Sequence, residues 1–166
     1  MTDGTPVPAD TFRSMMAGFP TGVTVVTALD GTRPWGMTCT ALCAVAVDPA
    51  ILLVSLRTVG PTVHAVLGRK AFTVNFLHAH ARQTARLFAG GAPDRFDHIR
   101  WETTDGCCGP HLPHDAHTIA DCRVVRADEV GDHVVVYGEV ISVRRLEGDT
   151  PLLYGLREYA SWPVQK

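Results

Sequence analysis

Absences narrow this chain before any motif does. Its first residues, MTDGTPVPAD, hold no basic start leading into an apolar run, so the sequence predicts no signal peptide and a cytoplasmic protein. Its fifteen Lys and Arg are scattered, and the formal net charge is -2, which favours neither nucleic acid nor an anionic membrane as partner. No Gly-x-Gly-x-x-Gly follows a strand-like run, which speaks against a Rossmann dinucleotide site. There is no CxxC pair, and five cysteines without framework spacing read as reduced thiols rather than disulfides. Linkers, repeats and low-complexity tracts are also missing. The 166 residues therefore read as one domain, 1–166, with a short N-terminal tail over about residues 1–9.

What is present is ordinary for a globular protein, with 46% apolar and 19% charged residues. A short helix is expected over residues 10–17, where Asp10 can cap and Gly18 stops it. Val- and Thr-rich runs then predict strands over 22–29 and 35–47, joined by the Asp30-Gly31 turn, and a third over 51–56 after Asp48-Pro49. Helices are expected over 61–67 and 79–89, with a strand over 72–77 between them. Residues 117–127 and 133–145 read as two strands of a hairpin turning at Glu129 to Asp132. Many strands and few helices predict a closed antiparallel barrel, mainly β with flanking helices, of the α+β class.

The first candidate site is GMTCTALCAV, residues 36–45. A strand of small residues lets a flat ligand approach the backbone, with Thr38 and Thr40 on one face and Cys39 and Ala41 on the other. The alternative is a buried strand packed with small side chains. A second candidate follows LLVSLR, where Arg57, Thr58 and Thr62 surround Gly60-Pro61; Pro61 suits the first position of a helix whose free N–H groups would face a phosphate. Plain capping by Thr58 is the competing reading. His133 either contacts a ligand or simply begins a strand, and Tyr154, Tyr159 and Arg157 either cover a ring or pack a terminal segment. Cys39 and Cys43, four apart on one expected strand, share a face and read as buried thiols rather than nucleophiles.

The stretch GCCGPHLPHDAH, residues 106–117, offers Cys107, Cys108, His111, His114 and His117 as ligands of the kind zinc takes. Adjacent thiols converge poorly on one ion, and Pro110 and Pro113 prevent a helix from stacking the histidines. The stretch is read as a loop, with no metal.

GFPTGVTVVTA, GMTCTALCAVAVDPAILLVSLR, the spaced Thr58 and Thr62, FTVNFL, LFAG, DRF, GDHVVVYGEV and PLLYGLREY, in this order, resemble the flavin reductase-like family, and in particular the reductase components of two-component flavin-dependent monooxygenases. The resemblance runs from about Phe12 to Tyr159. It implies an FMN-binding type of split β-barrel with antiparallel Greek-key strands, assembled as a homodimer. It further implies an NAD(P)H:flavin oxidoreductase that takes FMN or FAD, uses NADH or NADPH, and passes reduced flavin to a partner monooxygenase. A non-catalytic flavin carrier or sensor of the same fold is the alternative.

By the same resemblance, Met37, Thr38, Cys39, Thr40 and Ala41 lie along the flavin ring and ribityl chain. Ser55, Leu56 and Arg57, with Thr58, Pro61 and Thr62, approach the ribityl and phosphate groups, and Arg95 and Phe96 border the flavin. His133, the one catalytic candidate, joins Tyr154, Gly155, Leu156 and Arg157 on the nicotinamide side.

Overall fold

Every residue from Thr24 to Ala28 is buried, so this Val/Thr run is a strand covered on both faces rather than an alternating, half-exposed one. The computed structural model describes residues 4–146 and 150–162. In chain order the elements are α1 (Ala9–Ala17), β1 (Thr21–Gly22), β2 (Thr24–Asp30), β3 (Arg33–Cys39), β4 (Leu42–Ala46), β5 (Ile51–Arg57), α2 (Pro61–Arg69), β6 (Ala71–Leu77) and α3 (Arg82–Ala89). A 3-10 turn over Arg95–His98 follows, then β7 (Ala116–Val130), β8 (His133–Arg145), β9 (Leu152–Gly155) and β10 (Glu158–Ser161).

Seven strands pair antiparallel in the order β3-β2-β6-β7-β8-β5-β4, and β1-β9-β10 form a small second sheet. The expected closed barrel is not completed by hydrogen bonds, because the ladder stays open between β3 and β4. Those edge strands are nevertheless joined by only Thr40 and Ala41. A chain of that length spans at most about 11 Å between Cys39 and Leu42, so the sheet must curl until its edges approach. The Ser55 N–H donates to the Ala41 carbonyl at 3.0 Å and pins this corner.

The corner also corrects the expected single strand over 35–47. The chain bends between β3 and β4, so Cys39 is buried while Cys43 is exposed, and the two thiols do not share a face. The β7–β8 turn is tighter than expected, two residues with Gly131 at φ 62. α3 begins at Arg82 rather than residue 79. The β9–β10 hairpin was not anticipated as strands. Its turn residues Leu156 and Arg157 lie at φ 52 and 65, the left-handed region in which side chains cost about 1 kcal/mol or more each, so the sequence carries none of the usual Asn-Gly turn signal.

Two cores result. Val26, Val54, Leu56, Phe72, Val74 and Val136 fill the inside of the curl beneath Val63 and Val66 of α2. Val23, Val25, Leu77, Ala85, Phe88 and Leu112 pack on the opposite side, against α3. Gly36 is required at the second: a Cβ there would lie 2.9 Å from a ring carbon of Phe88 and 3.1 Å from Phe96.

The Cys/His-rich stretch closes this second side as an ordered loop. Buried Asn75 accepts from the Leu112 N–H at 2.8 Å and donates to the Pro110 carbonyl at 3.2 Å, while Thr27 donates to the same carbonyl at 2.6 Å. Asp121 accepts from Thr73 (2.6 Å), from the Cys108 N–H (2.9 Å) and from His111 Nε2 (3.1 Å). Among the described residues, no three His, Cys, Asp or Glu side chains gather in a metal-binding arrangement.

Candidate active site

Strand alternation decides which β5 side chains reach the surface. Leu52, Val54 and Leu56 point into the core, so Leu53, Ser55 and Arg57 point the other way. Two clefts open along this face and the β3–β4 corner. The larger, about 530 Å³, is walled by Thr40, Ala41, Leu42 and Cys43 of the corner, Leu53 and Ser55 of β5, and Tyr154, Gly155 and Arg157 of the β9–β10 hairpin. Its remaining wall is Phe12, Arg13, Met16 and Ala17 of α1, with Phe19 and Thr21 after it. The smaller, about 360 Å³, gathers Trp35, Met37 and Thr38 of β3, Arg57, Gly60, Pro61 and Thr62 at the start of α2, and Gly90, Gly91 and Arg95 after α3.

The expected flavin residues therefore divide between the two clefts, with Thr40, Ala41 and Ser55 in the larger and Met37, Thr38, Arg57, Pro61, Thr62 and Arg95 in the smaller. Several of them do not present a free side chain. Leu56 is fully buried, so only its main chain is available. Cys39 is also buried, and burial pushes its thiol up to about 11, leaving it neutral at physiological pH. Phe96 packs edge-on against Phe88 with ring centroids 5.0 Å apart. Thr38 donates to the Ala85 carbonyl at 2.6 Å, and Thr58 to the Asp132 carbonyl at 3.1 Å.

Arg95 is almost fully buried. It donates from Nη1 to the Gly36 carbonyl (2.7 Å) and from Nε to the Ala92 carbonyl (2.8 Å), so it braces the free edge of β3 and leaves its charge in the smaller cleft. The helix start there, with Pro61 first and Thr62 buried behind it, presents main-chain N–H groups that suit an anion.

The nicotinamide candidates are not brought together within the chain. His133 pairs across β5–β8 with Arg57, and its Nδ1 lies 2.8 Å from Asp132, beside the smaller cleft. That contact, chiefly a hydrogen bond, holds the Asp132 carboxyl below its usual range. Tyr154, Gly155 and Arg157 line the larger cleft instead, and Leu156 points into solvent. Tyr154 packs on Tyr159 at 5.1 Å between ring centroids. Sequence reasoning missed the α1 wall, Leu53 and Trp35. The apolar spacing of Phe12 and Met16 and the alternation in LLVSLR were the available signals for the first two.

Residues 16–163 match the model of the family described as flavin reductase like domain. The chain belongs to this family. Among relatives of this flavin reductase-like chain, a flavin reductase (NADPH) of Lentzea aerocolonigenes is 50% identical over 161 residues, covering 96% of this chain and 93% of its own. A flavin reductase (NADH) of Kitasatospora aureofaciens is 42% identical, covering 96% and 85%. Among solved structures, the flavin reductase component BorF of a bacterial two-component tryptophan halogenase superposes with a TM-score of 0.85 at 26% identity, covering 95% of this chain and 100% of that one.

Proposed function

We propose that the chain is an NAD(P)H-dependent flavin reductase that supplies reduced flavin to a partner monooxygenase or related oxygenase. The observation that carries this reading is the pair of clefts opening side by side along β5, with Leu53 and Ser55 in one and Arg57 in the other, in a chain of the flavin reductase-like family. The relatives named for NADPH and for NADH, and a relative that serves a halogenase, support both the chemistry and the partnership.

The residues present fit a flavin. Thr40, Ala41 and Ser55 are small enough to let a flat ring lie against the corner, and Arg57 with the α2 start suits the anionic end. When bound, a flavin accepts hydride from the reduced nicotinamide and carries the two electrons away. Phe12, Met16, Leu53 and Tyr154 supply an apolar wall that excludes water and holds two rings in contact. Hydride transfer between two such rings calls for no side-chain acid or base, which agrees with the neutral Cys39 and with His133 lying outside the larger cleft. His133 beside Arg57 then acts in binding rather than in proton transfer.

The finer architecture we assign is a split barrel, the curled sheet parted at the β3–β4 corner. Homodimerisation is part of the same reading: α1 buries none of its residues, and Phe12, Met15 and Phe19 are 53%, 62% and 62% exposed. The five free thiols suit a cytoplasmic enzyme.

The test is oxidation of NADH and NADPH by the purified protein, followed by nicotinamide absorbance with and without added FMN or FAD. Flavin-dependent oxidation is expected. Flavin binding without oxidation would instead favour the carrier or sensor.

A further inference from the structure

We propose that Arg13 of α1 and Arg157 of the β9–β10 turn form a two-sided clamp across the larger cleft for the diphosphate of the pyridine nucleotide. The inference rests on the flavin reductase reading and adds to it the residues that hold the hydride donor.

Arg13 and Arg157 are the charged residues of that cleft, with no Asp or Glu among its described lining, in a chain whose formal net charge is -2. The flavin does not account for them, because its phosphate end has Arg57 and the α2 start, which line the other cleft. A dihydronicotinamide ring against Leu53 and Tyr154 carries a doubly negative diphosphate one ribose away. Guanidinium binds such oxygens through a planar, bidentate fork.

Local structure places both side chains. Phe12, Arg13, Met16 and Ala17 recur at helical spacing, so one face of α1 turns to the cleft and brings Arg13 with its apolar neighbours. Asp10, which is not among the lining, accepts from Arg13 Nη1 at 2.5 Å and orients the guanidinium along the helix. That bond engages one of the five N–H donors.

The opposite arm is a two-residue turn between Gly155 and Glu158, with Leu156 and Arg157 at φ 52 and 65. Asn-Gly adopts such a turn easily, whereas Leu-Arg adopts it under strain. Leu156 gains no burial from it, being 77% exposed, while Arg157 lines the cleft. A strained turn that holds a charged side chain on a cleft is the pattern of a ligand clamp. The two arms are also joined. The Leu156 N–H donates to the Ala17 carbonyl at 2.6 Å, and a Cβ on Gly155 would lie 3.1 Å from the Pro20 Cβ.

A phosphate at these arginines could also be the flavin's, or the 2′-phosphate of NADPH, so the test separates the three. Oxidation of NADH, NADPH and N-benzyl-dihydronicotinamide, a donor without phosphate, is measured with FMN as acceptor in wild type, Arg13→Met, Arg13→Lys and Arg157→Gly. FMN affinity is read by fluorescence titration. Arg13 is exposed and glycine suits φ 65, so each variant should melt close to the wild-type temperature.

Arg13→Met and Arg157→Gly are each expected to raise KM about tenfold, equally for NADH and NADPH, with little change in kcat, because the contact is the same in ground and transition states. Arg13→Lys keeps the charge without the fork and loses less. FMN affinity and the kinetics of the phosphate-free donor stay at wild-type values. An unchanged NADH KM in either Arg13→Met or Arg157→Gly overturns the clamp. So does an effect confined to NADPH, an equal rise for the phosphate-free donor, or a loss of FMN affinity. If the wild type oxidises none of the three donors, the reductase reading falls and the clamp with it; if it oxidises them and the variants leave the NADH KM in place, only the clamp falls.

Discussion

Arg57 offers the cleanest probe of the anionic end of the site, because its side chain is exposed at the end of β5 and its loss opens no cavity. Replacing it with Ala should change unfolding free energy by no more than about 0.5 kcal/mol, the usual range for surface positions. Binding should respond far more. A guanidinium about 5 Å from a phosphate charge contributes about 1–3 kcal/mol at effective dielectric constants between roughly 80 and 20, which corresponds to a loss of about 5- to 150-fold in flavin affinity. Asp132, which feels the Arg57 charge, partly offsets it, so the lower half of that range is expected. Arg57→Glu reverses the sign and should roughly double the free-energy loss.

The assay is flavin fluorescence titration at low salt and again near 1 M, where the screening length falls to about 3 Å and the deficit should shrink to a few fold. A folded Arg57→Ala protein whose flavin affinity moves less than twofold would refute the assignment of this end of the cleft. So would a deficit of the same size at both salt concentrations, since the effect would then not be Coulombic.

Asp121→Ala should destabilise the protein by about 3–5 kcal/mol in urea unfolding, because Thr73, the Cys108 N–H and His111 lose their shared buried acceptor; a change under 1 kcal/mol would disprove that role. Burial pushes the Asp121 carboxyl up, but hydrogen bonds from His111, Thr73 and the Cys108 N–H outweigh it and hold the group below its ordinary 3.8. A depressed native value contributes stability above the unfolded value and loses it as pH falls through the native one, so the gap between wild type and variant should narrow below about pH 4. In native thiol titration, exposed Cys43 should react first and half-buried Cys107 more slowly. Buried Cys39, Cys108 and Cys122 should react only after unfolding, Cys122 being pushed up to about 12 by burial; fast labelling of three or more thiols in the folded protein would contradict the packing.

Local pattern alone determined much of this protein. Val and Thr runs marked the strands, Asp30-Gly31 and Gly131-Asp132 marked turns, and Gly60-Pro61 marked the start of α2, because each is a property of backbone sterics within a few residues. The ordered motifs carried the family, and with it the flavin and nicotinamide chemistry.

Only the tertiary structure decided what depends on curvature and pairing between distant segments. The bend at Thr40-Ala41 is invisible in a continuous run of small residues, since it arises from closing two sheet edges that lie six strands apart in the ladder. The same curl divides the expected flavin residues between two clefts and sets α1 against the β9–β10 hairpin. GCCGPHLPHDAH resembled a ligand set in sequence, and its actual partners, Asn75 and Asp121, come from the neighbouring strands β6 and β7. Spacing along the chain specifies which groups are available, but burial and register across the sheet specify which of them face a ligand.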